Sequence, residues 1–217
     1  MNLLKKTPCA LIDLAESNGP ITDIVTKFGG QPTWLNKPQW PISKYTQKPM
    51  QFICQIVLDK KLFPNTFGTV AYIFMADEDE GLSLTWEYEA GDNAVIIQKG
   101  DIPSFVKISE NNEDHTLEKE YMVTYTDHDD FPFVSEADVC ELSVDERNNY
   151  CSSLKYTKIG GEPAFLQGDE FPEGKDWKLL CQFEELKMPF CINLGGGGIA
   201  YAFINKDGTE GRFMWQR

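Results

Sequence analysis

Histidine is scarce in this chain, which has only His115 and His128 in 217 residues. The six cysteines, Cys9, Cys54, Cys140, Cys151, Cys181 and Cys191, include no C-x-x-C pair. A structural zinc site needs four Cys or His ligands at close, paired spacing. No metal site is therefore expected, and free thiols are expected in a reducing compartment. Basic side chains are also in deficit, with 20 Lys and Arg against 34 Asp and Glu and a formal net charge of −14. Nucleic acid and anionic membrane both require a basic footprint, so neither is expected as a partner. No apolar run reaches the 18 residues of a membrane span, and the stretch after Met1 to Lys6 lacks the apolar core of a signal peptide. The expected location is the cytoplasm. No cofactor is expected either: Gly195 to Gly198 is not followed by the Lys-Ser/Thr of a phosphate loop, and a strand pattern comes next.

What the chain does contain is a phrase used twice. Thr26-Lys27-Phe28-Gly29-Gly30-Gln31-Pro32-Thr33-Trp34-Leu35 returns as Thr157-Lys158-Ile159-Gly160-Gly161-Glu162-Pro163-Ala164-Phe165-Leu166. Its surroundings return in the same order. Trp40-Pro41 answers Phe171-Pro172, Phe52-Ile53-Cys54-Gln55-Ile56 answers Leu179-Leu180-Cys181-Gln182-Phe183, and Ala71-Tyr72-Ile73-Phe74-Met75 answers Ala200-Tyr201-Ala202-Phe203-Ile204. Landmarks conserved in order imply an internal duplication, and two copies point to one pseudo-symmetric body rather than a solenoid.

Along the chain, residues 8 to 18 carry a helical pattern in Leu11, Leu14 and Ala15, ended by Asn18-Gly19-Pro20. Pro32, Pro38 and Pro41 make residues 31 to 49 irregular. Strands are expected over 50–58, 70–75, 82–88, 94–98, 105–108 and 120–126, where β-branched and aromatic residues cluster. The acidic run Asp77 to Glu80 reads as a hairpin loop and Asp127 to Asp130 as a polar loop, not as metal sites, because consecutive ligands rarely converge on one ion. Ser143 with Glu146 forms a capping box that opens a helix to Leu154. Further strands are expected over 178–183, 190–194, 199–204 and 212–216.

Taken together, Thr26-Lys27-Phe28-Gly29-Gly30-x-Pro32, Trp40-Pro41 and Pro49 to Leu58 resemble the N-terminal signature of the YwqG-like family, a bacterial domain-of-unknown-function family. Lys158 to Asp169, Leu179-Leu180-Cys181-Gln182 and Gly198 to Ile204 resemble its C-terminal signature. The resemblance runs from about Thr26 onward and implies a mostly β, α+β cytoplasmic protein with two related halves and no settled activity. Some members are thought to sit among toxin and immunity genes. The chain departs from the family pattern at Leu194-Gly195-Gly196, where Trp-Gly-Asp is usual, and at Glu162, where Tyr is usual.

The fold class expected is α+β and predominantly β, with two internally duplicated, mostly antiparallel β units packed as one pseudo-symmetric body with a few short helices. The units expected are a helical lead-in over 1–25, a first repeat with additional strands over 26–142, a linking helix over 143–156 and a second repeat over 157–217. The function expected is a non-enzymatic binding or immunity-type module that recognises a basic, toxin-like protein. Two alternatives stay open: a small-molecule or carbohydrate binder, and an enzyme with its site between the repeats. No residue is assigned to catalysis, since both histidines lie outside the repeat signatures. The candidate ligand-binding residues are Gln55 and Gln182, polar positions inside apolar strands, and Trp34, Trp40 and Trp177 in proline-rich segments. For the glutamines the competing reading is satisfaction of buried backbone, and for the tryptophans it is core packing.

Overall fold

The computed structural model describes residues 6–66, 68–77, 84–100, 115–174 and 176–217. Its strands are β1 (Thr7–Glu16), β2 (Lys27–Phe28), β3 (Gln51–Val57), β4 (Thr69–Met75), β5 (Asn93–Lys99), β6 (Tyr121–Asp130), β7 (Lys158–Gly160), β8 (Trp177–Glu184), β9 (Ile199–Asn205) and β10 (Gly211–Gln216). Two helices, α1 (Glu136–Cys140) and α2 (Val144–Leu154), lie between β6 and β7. The strands form one antiparallel sheet in the order β10-β9-β8-β7-β1-β6-β2-β3-β4-β5. The sheet curls until its edge strands β10 and β5 lie against each other, so the architecture is nearly a barrel. Among the described residues no helix is long and apolar enough to cross a membrane.

Continuous apolar runs in β4 and β9 reflect burial on both faces. Strand alternation sends Ala71, Ile73 and Met75 of β4, with Ala200, Ala202 and Ile204 of β9, into a shared interior with Phe28, Phe183 and Phe213. Their neighbours Val70, Tyr72 and Phe74 point outward beneath Trp34, Leu35 and Trp40. Tyr201 and Phe203 point outward beneath Phe165, Leu166 and Phe171. The proline-shaped segments after each Gly-Gly pair are therefore lids over the outer face. Residues 31 to 49 are irregular, as their prolines require. Bulges between Phe52 and Cys54 in β3, and between Leu179 and Cys181 in β8, shift the register at matching places.

Several expected elements are corrected. Residues 8 to 18 hold no helix: β1 runs through them, paired with β6 from Thr7 to Glu16 and with β7 from Cys9 to Leu11. Leu11, Leu14 and Ala15 do recur at helical spacing, but Ile12 and Leu14 reach the interior on a period of two. Hydrogen bonds to strands on both sides outweigh the marginal stability of an isolated helix of that length. Leu84 to Tyr88 forms turns and Phe190 to Leu194 a loop, not strands. Asp127 to Asp130 belongs to β6 and is not a loop. The expected strand over 105–108 and most of the acidic run at 77–80 lie outside the described residues. The helix begun by Ser143 is present with its capping box, the Ser143 hydroxyl accepting from the Glu146 N–H and the Glu146 carboxylate accepting from the Ser143 N–H.

The two Gly-Gly turns hold the left-handed conformation, with φ of 71° and 61° at Gly29 and Gly30 and of 72° and 79° at Gly160 and Gly161. Conformation is half of the requirement. A Cβ on Gly30 would overlap the Glu120 carboxylate, and one on Gly161 would overlap the Asp130 carboxylate. Gly196, with φ of 85°, has nothing within 4 Å of such an atom. Gly196→Ala is thus expected to lose only the left-handed penalty of about 1–2 kcal/mol. Gly161→Ala should lose distinctly more, because it also displaces Asp130, and equal losses for the two variants in urea unfolding would refute the close-approach account.

Candidate functional site

The repeated phrase places a lysine on each of two short strands, and both lysines are buried. Lys27 on β2 is 1% exposed and Lys158 on β7 is 0% exposed. Each meets a carboxylate supplied by β6 or the residue before it. Lys27 Nζ donates to the Ile21 carbonyl at 2.8 Å and to Glu120 at 3.3 Å. Lys158 Nζ donates to the Leu154 carbonyl at 3.0 Å and to Asp130 Oδ2 at 2.6 Å. Glu120 also accepts from the Ile21 N–H, and Asp130 from the Glu162 N–H. Burial pushes both ammonium groups below the ordinary lysine value, and the adjacent carboxylates oppose that shift. These joints fasten β2 and β7 to the strand pair β1–β6.

Around Asp130 stand Cys9, Glu162 and His128. Burial foremost, then the charge of Asp130, pushes the Cys9 thiol up to about 12. It is a core thiol and not a nucleophile at neutral pH. Burial foremost, with the neighbouring Cys181 thiol adding to it, likewise raises Cys54 well above the ordinary thiol value, and both cysteines are free. Glu162 is raised by burial and partly relieved by the Thr7 hydroxyl, which donates to it at 2.6 Å. His128 Nε2 lies 3.9 Å from Asp130 Oδ1, and its ring packs on Tyr156 at 5.4 Å.

Gln55 and Gln182 do not meet in a common crevice. Each lies on the outer face of its own strands and is fully buried under its own lid. Gln55 Oε1 accepts from the Thr33 N–H at 2.7 Å and its Nε2 donates to the Val25 carbonyl at 2.8 Å. Gln182 Oε1 accepts from the Ala164 N–H at 2.8 Å, and its Nε2 donates to the Leu154 and Tyr156 carbonyls. Their cross-strand neighbours complete the work. The Tyr72 hydroxyl donates to the Thr33 carbonyl and that of Tyr201 to the Ala164 carbonyl. Gln98 Oε1 then accepts from Asn36, and Gln216 Oε1 from Leu166 and Gln167. A Gln-Tyr-Gln row thus bolts each lid to the sheet.

Trp34 is buried, with its ring 4.5 Å from Tyr72 and 6.4 Å from Trp40. Trp40 donates to the Met50 carbonyl. Trp177 sits in the other half, donating to the Glu173 carbonyl beneath the Arg212 guanidinium. The tetraglycine loop does cradle an anion, but an internal one: the N–H groups of Gly196, Gly197 and Gly198 all donate to Glu185 Oε2, at 3.0, 2.6 and 3.2 Å. Among the described residues no group of three or more His, Cys, Asp or Glu is placed to hold a metal.

The open concavity with mixed chemistry lies at the helices. Val139, Tyr150, Leu154, Phe165 and Leu166 line a groove of about 310 Å³, with Glu136, Asp169, Arg147 and Lys155 among its polar lining. Arg147 is engaged, donating to the carbonyls of Val139, Cys140 and Leu142 at the end of α1. Glu136, Asp138, Glu141 and Asp145 have no Lys or Arg partner among the described residues.

The lysines, their carboxylates and the tyrosines were not singled out from sequence. The available signal was Lys27 and Lys158 at the same place in a repeated phrase whose other positions are apolar or glycine.

Gln182→Leu is expected to destabilise the fold by about 2–4 kcal/mol, because it leaves the Ala164 N–H and the Tyr156 carbonyl unpaired under the lid. A chemical-denaturation midpoint equal to that of the parent would contradict this. Tyr201→Phe carries a pH signature as well. Burial raises the Tyr201 phenol above its ordinary value, so the unfolded chain releases that proton first. The stability it contributes is complete below about pH 10 and is lost as pH rises further. The variant should be less stable by about 1 kcal/mol at neutral pH and lose less stability than the parent between about pH 10 and 12. Parallel alkaline curves for the two proteins would contradict it.

A comparison with curated proteins finds no match. A family model does match, over residues 26–212, and spans both Gly-Gly turns, both buried lysines and both lids. The chain belongs to the family described as a domain of unknown function, DUF1963.

Proposed function

We propose that this protein is a cytoplasmic, non-enzymatic binding module of the YwqG-like type that recognises a basic protein partner, in the manner of an immunity protein. We also read its two Gln-Tyr-Gln rows and two lysine joints as marks of an internal duplication. The observation that carries the binding reading is the surface at α1 and α2. Among the described residues Glu136, Asp138, Glu141 and Asp145 stand without cationic partners on the helices that carry Glu136, Val139 and Tyr150 to a groove of about 310 Å³. An apolar anchor flanked by lysine or arginine is the ligand such a surface complements. The net charge of −14 acts in the same direction by steering a basic partner from a distance.

The interior supports the non-enzymatic part of the reading. Its glutamines, tyrosines and lysines are bonded to the chain's own backbone or carboxylates, and the Cys9 and Cys54 thiols are held protonated. Catalysis requires a group free to act on a substrate.

The test is capture by the tagged protein from its native host's lysate at low and at high salt. The expected result is a single stoichiometric basic protein, released by salt. With that partner purified, replacing Glu136, Glu141 and Asp145 by lysine should weaken binding by more than about tenfold, mainly through slower association. Retention that ignores both salt and charge reversal would defeat the proposal.

A further inference from the structure

We infer that the seam between β5 and β10 is a docking site where an extended, basic segment of a partner protein adds to the sheet by main-chain hydrogen bonds. This deepens the binding reading above and rests on it. The alternation of an antiparallel ladder shows which backbone groups point away from it. At one end of the β4–β5 ladder the Gly100 N–H donates to the Gly68 carbonyl, and at the other the Ala76 N–H donates to the Asp92 carbonyl. The hydrogen-bonded partners in between are therefore Val70 with Gln98, Tyr72 with Ile96, and Phe74 with Ala94. Asn93, Val95, Ile97 and Lys99 turn their N–H and C=O groups away from β4. In the β9–β10 ladder the Asn205 N–H donates to the Glu210 carbonyl, so Gly211, Phe213 and Trp215 turn theirs away from β9.

These two rows face each other, yet no strand pairing joins β5 to β10. Side chains latch the seam instead. Lys99 Nζ donates to the Asp207 carbonyl at 2.5 Å, and the Trp215 indole donates to the Thr85 hydroxyl at 3.1 Å. Between them Val95 fills the space where Gly211 has no side chain. A cavity of about 520 Å³ opens here, lined by Tyr88, Glu89, Asn93, Val95, Arg212 and Phe213.

Two observations define the occupant. Asn93 is 7% exposed and Phe213 is 0% exposed, so their outward-turned backbone groups are withdrawn from bulk water, and no strand ladder satisfies them, whereas buried backbone groups are nearly always paired. An extended chain presents the matching donors and acceptors at strand spacing. Its charge follows from the walls. Glu89, Glu173 and Glu170 lie close enough to Tyr88 to help hold its phenol protonated, behind burial as the main cause. The cation of the cavity, Arg212, is already shared between the Trp177 ring, Glu210 and the Gly211 carbonyl, to which its Nη1 donates at 3.1 Å. The vacant electrostatic role is that of a lysine or arginine on the incoming segment.

The probe is a blocked peptide of about six residues alternating lysine and valine, a strand-length segment, titrated into the whole protein with amide resonances followed by NMR. The expected result is saturable shifts at Asn93, Val95, Gly211 and Phe213. The same peptide N-methylated on alternate amides should bind about five- to tenfold more weakly, as the loss of one or two main-chain hydrogen bonds requires. Val95→Pro removes a seam-facing N–H without touching the β4 ladder, and it should weaken the unmethylated peptide by a similar factor. The methylated peptide supplies the test should that variant fail to fold. Shifts confined to the α1–α2 groove would overturn the seam and leave the binding module standing, whereas no shift at the seam, or equal binding of a glutamate–valine peptide, would overturn the inference outright.

Discussion

The ammonium of a lysine with no access to water is the constraint from which much of this architecture follows. Lys27 and Lys158 each need a carboxylate, a carbonyl and a backbone close enough to let both approach. An unpaired charge in such a place would be strongly destabilising. The carboxylates come from the two ends of a single strand, Glu120 just before β6 and Asp130 at its close. That strand, with β1 beside it, is the beam on which both four-stranded meanders hang. The glycine that follows each Lys-x-Gly is a consequence of the same demand, since any side chain there would occupy the place of the acid.

A curled sheet buried on its inner face would ordinarily show water its outer one. Here the outer face of β3 and β4 and that of β8 and β9 are each roofed by a proline-containing segment that forms no helix and, beyond one bridge between Ile42 and Pro49, no strand of its own. The backbone of such a segment must find partners elsewhere, and it finds them in side chains that cross from the sheet, Gln55, Tyr72 and Gln98 in one half and Gln182, Tyr201 and Gln216 in the other. Polar residues at the centre of apolar strands are therefore the fasteners of an irregular layer.

Much of this was legible in the sequence, for reasons that can be named. β3, β4, β8 and β9 announce themselves because burial on both faces demands unbroken apolar runs, and α2 does so because Ser143 and Glu146 satisfy each other at its start. Gln55 and Gln182 stand out in sequence as polar positions inside apolar runs, and each bonds buried backbone of its lid or its flanks. β1 was not legible, because its ten residues become a strand through partners more than a hundred residues away. Leu84, Trp86 and Tyr88 alternate as a strand would, yet Asp92 accepts from the Leu84 N–H and helps hold the segment in turns. The seam between β5 and β10 carries no local pattern, since it arises where distant segments come together.

The position of β1 has a consequence for how the fold is reached. Thr7 pairs with Asp130 and Cys9 with Gly160, so the earliest strand of the chain cannot be placed until the later half of the molecule exists. On a growing polypeptide β2 to β5 can zip as consecutive hairpins while β1 waits, its apolar side chains uncovered. Loop closures of this span must be completed before their contacts repay the lost entropy. The placement of β1 therefore waits on β6 and β7, and both halves of the sheet depend on that step.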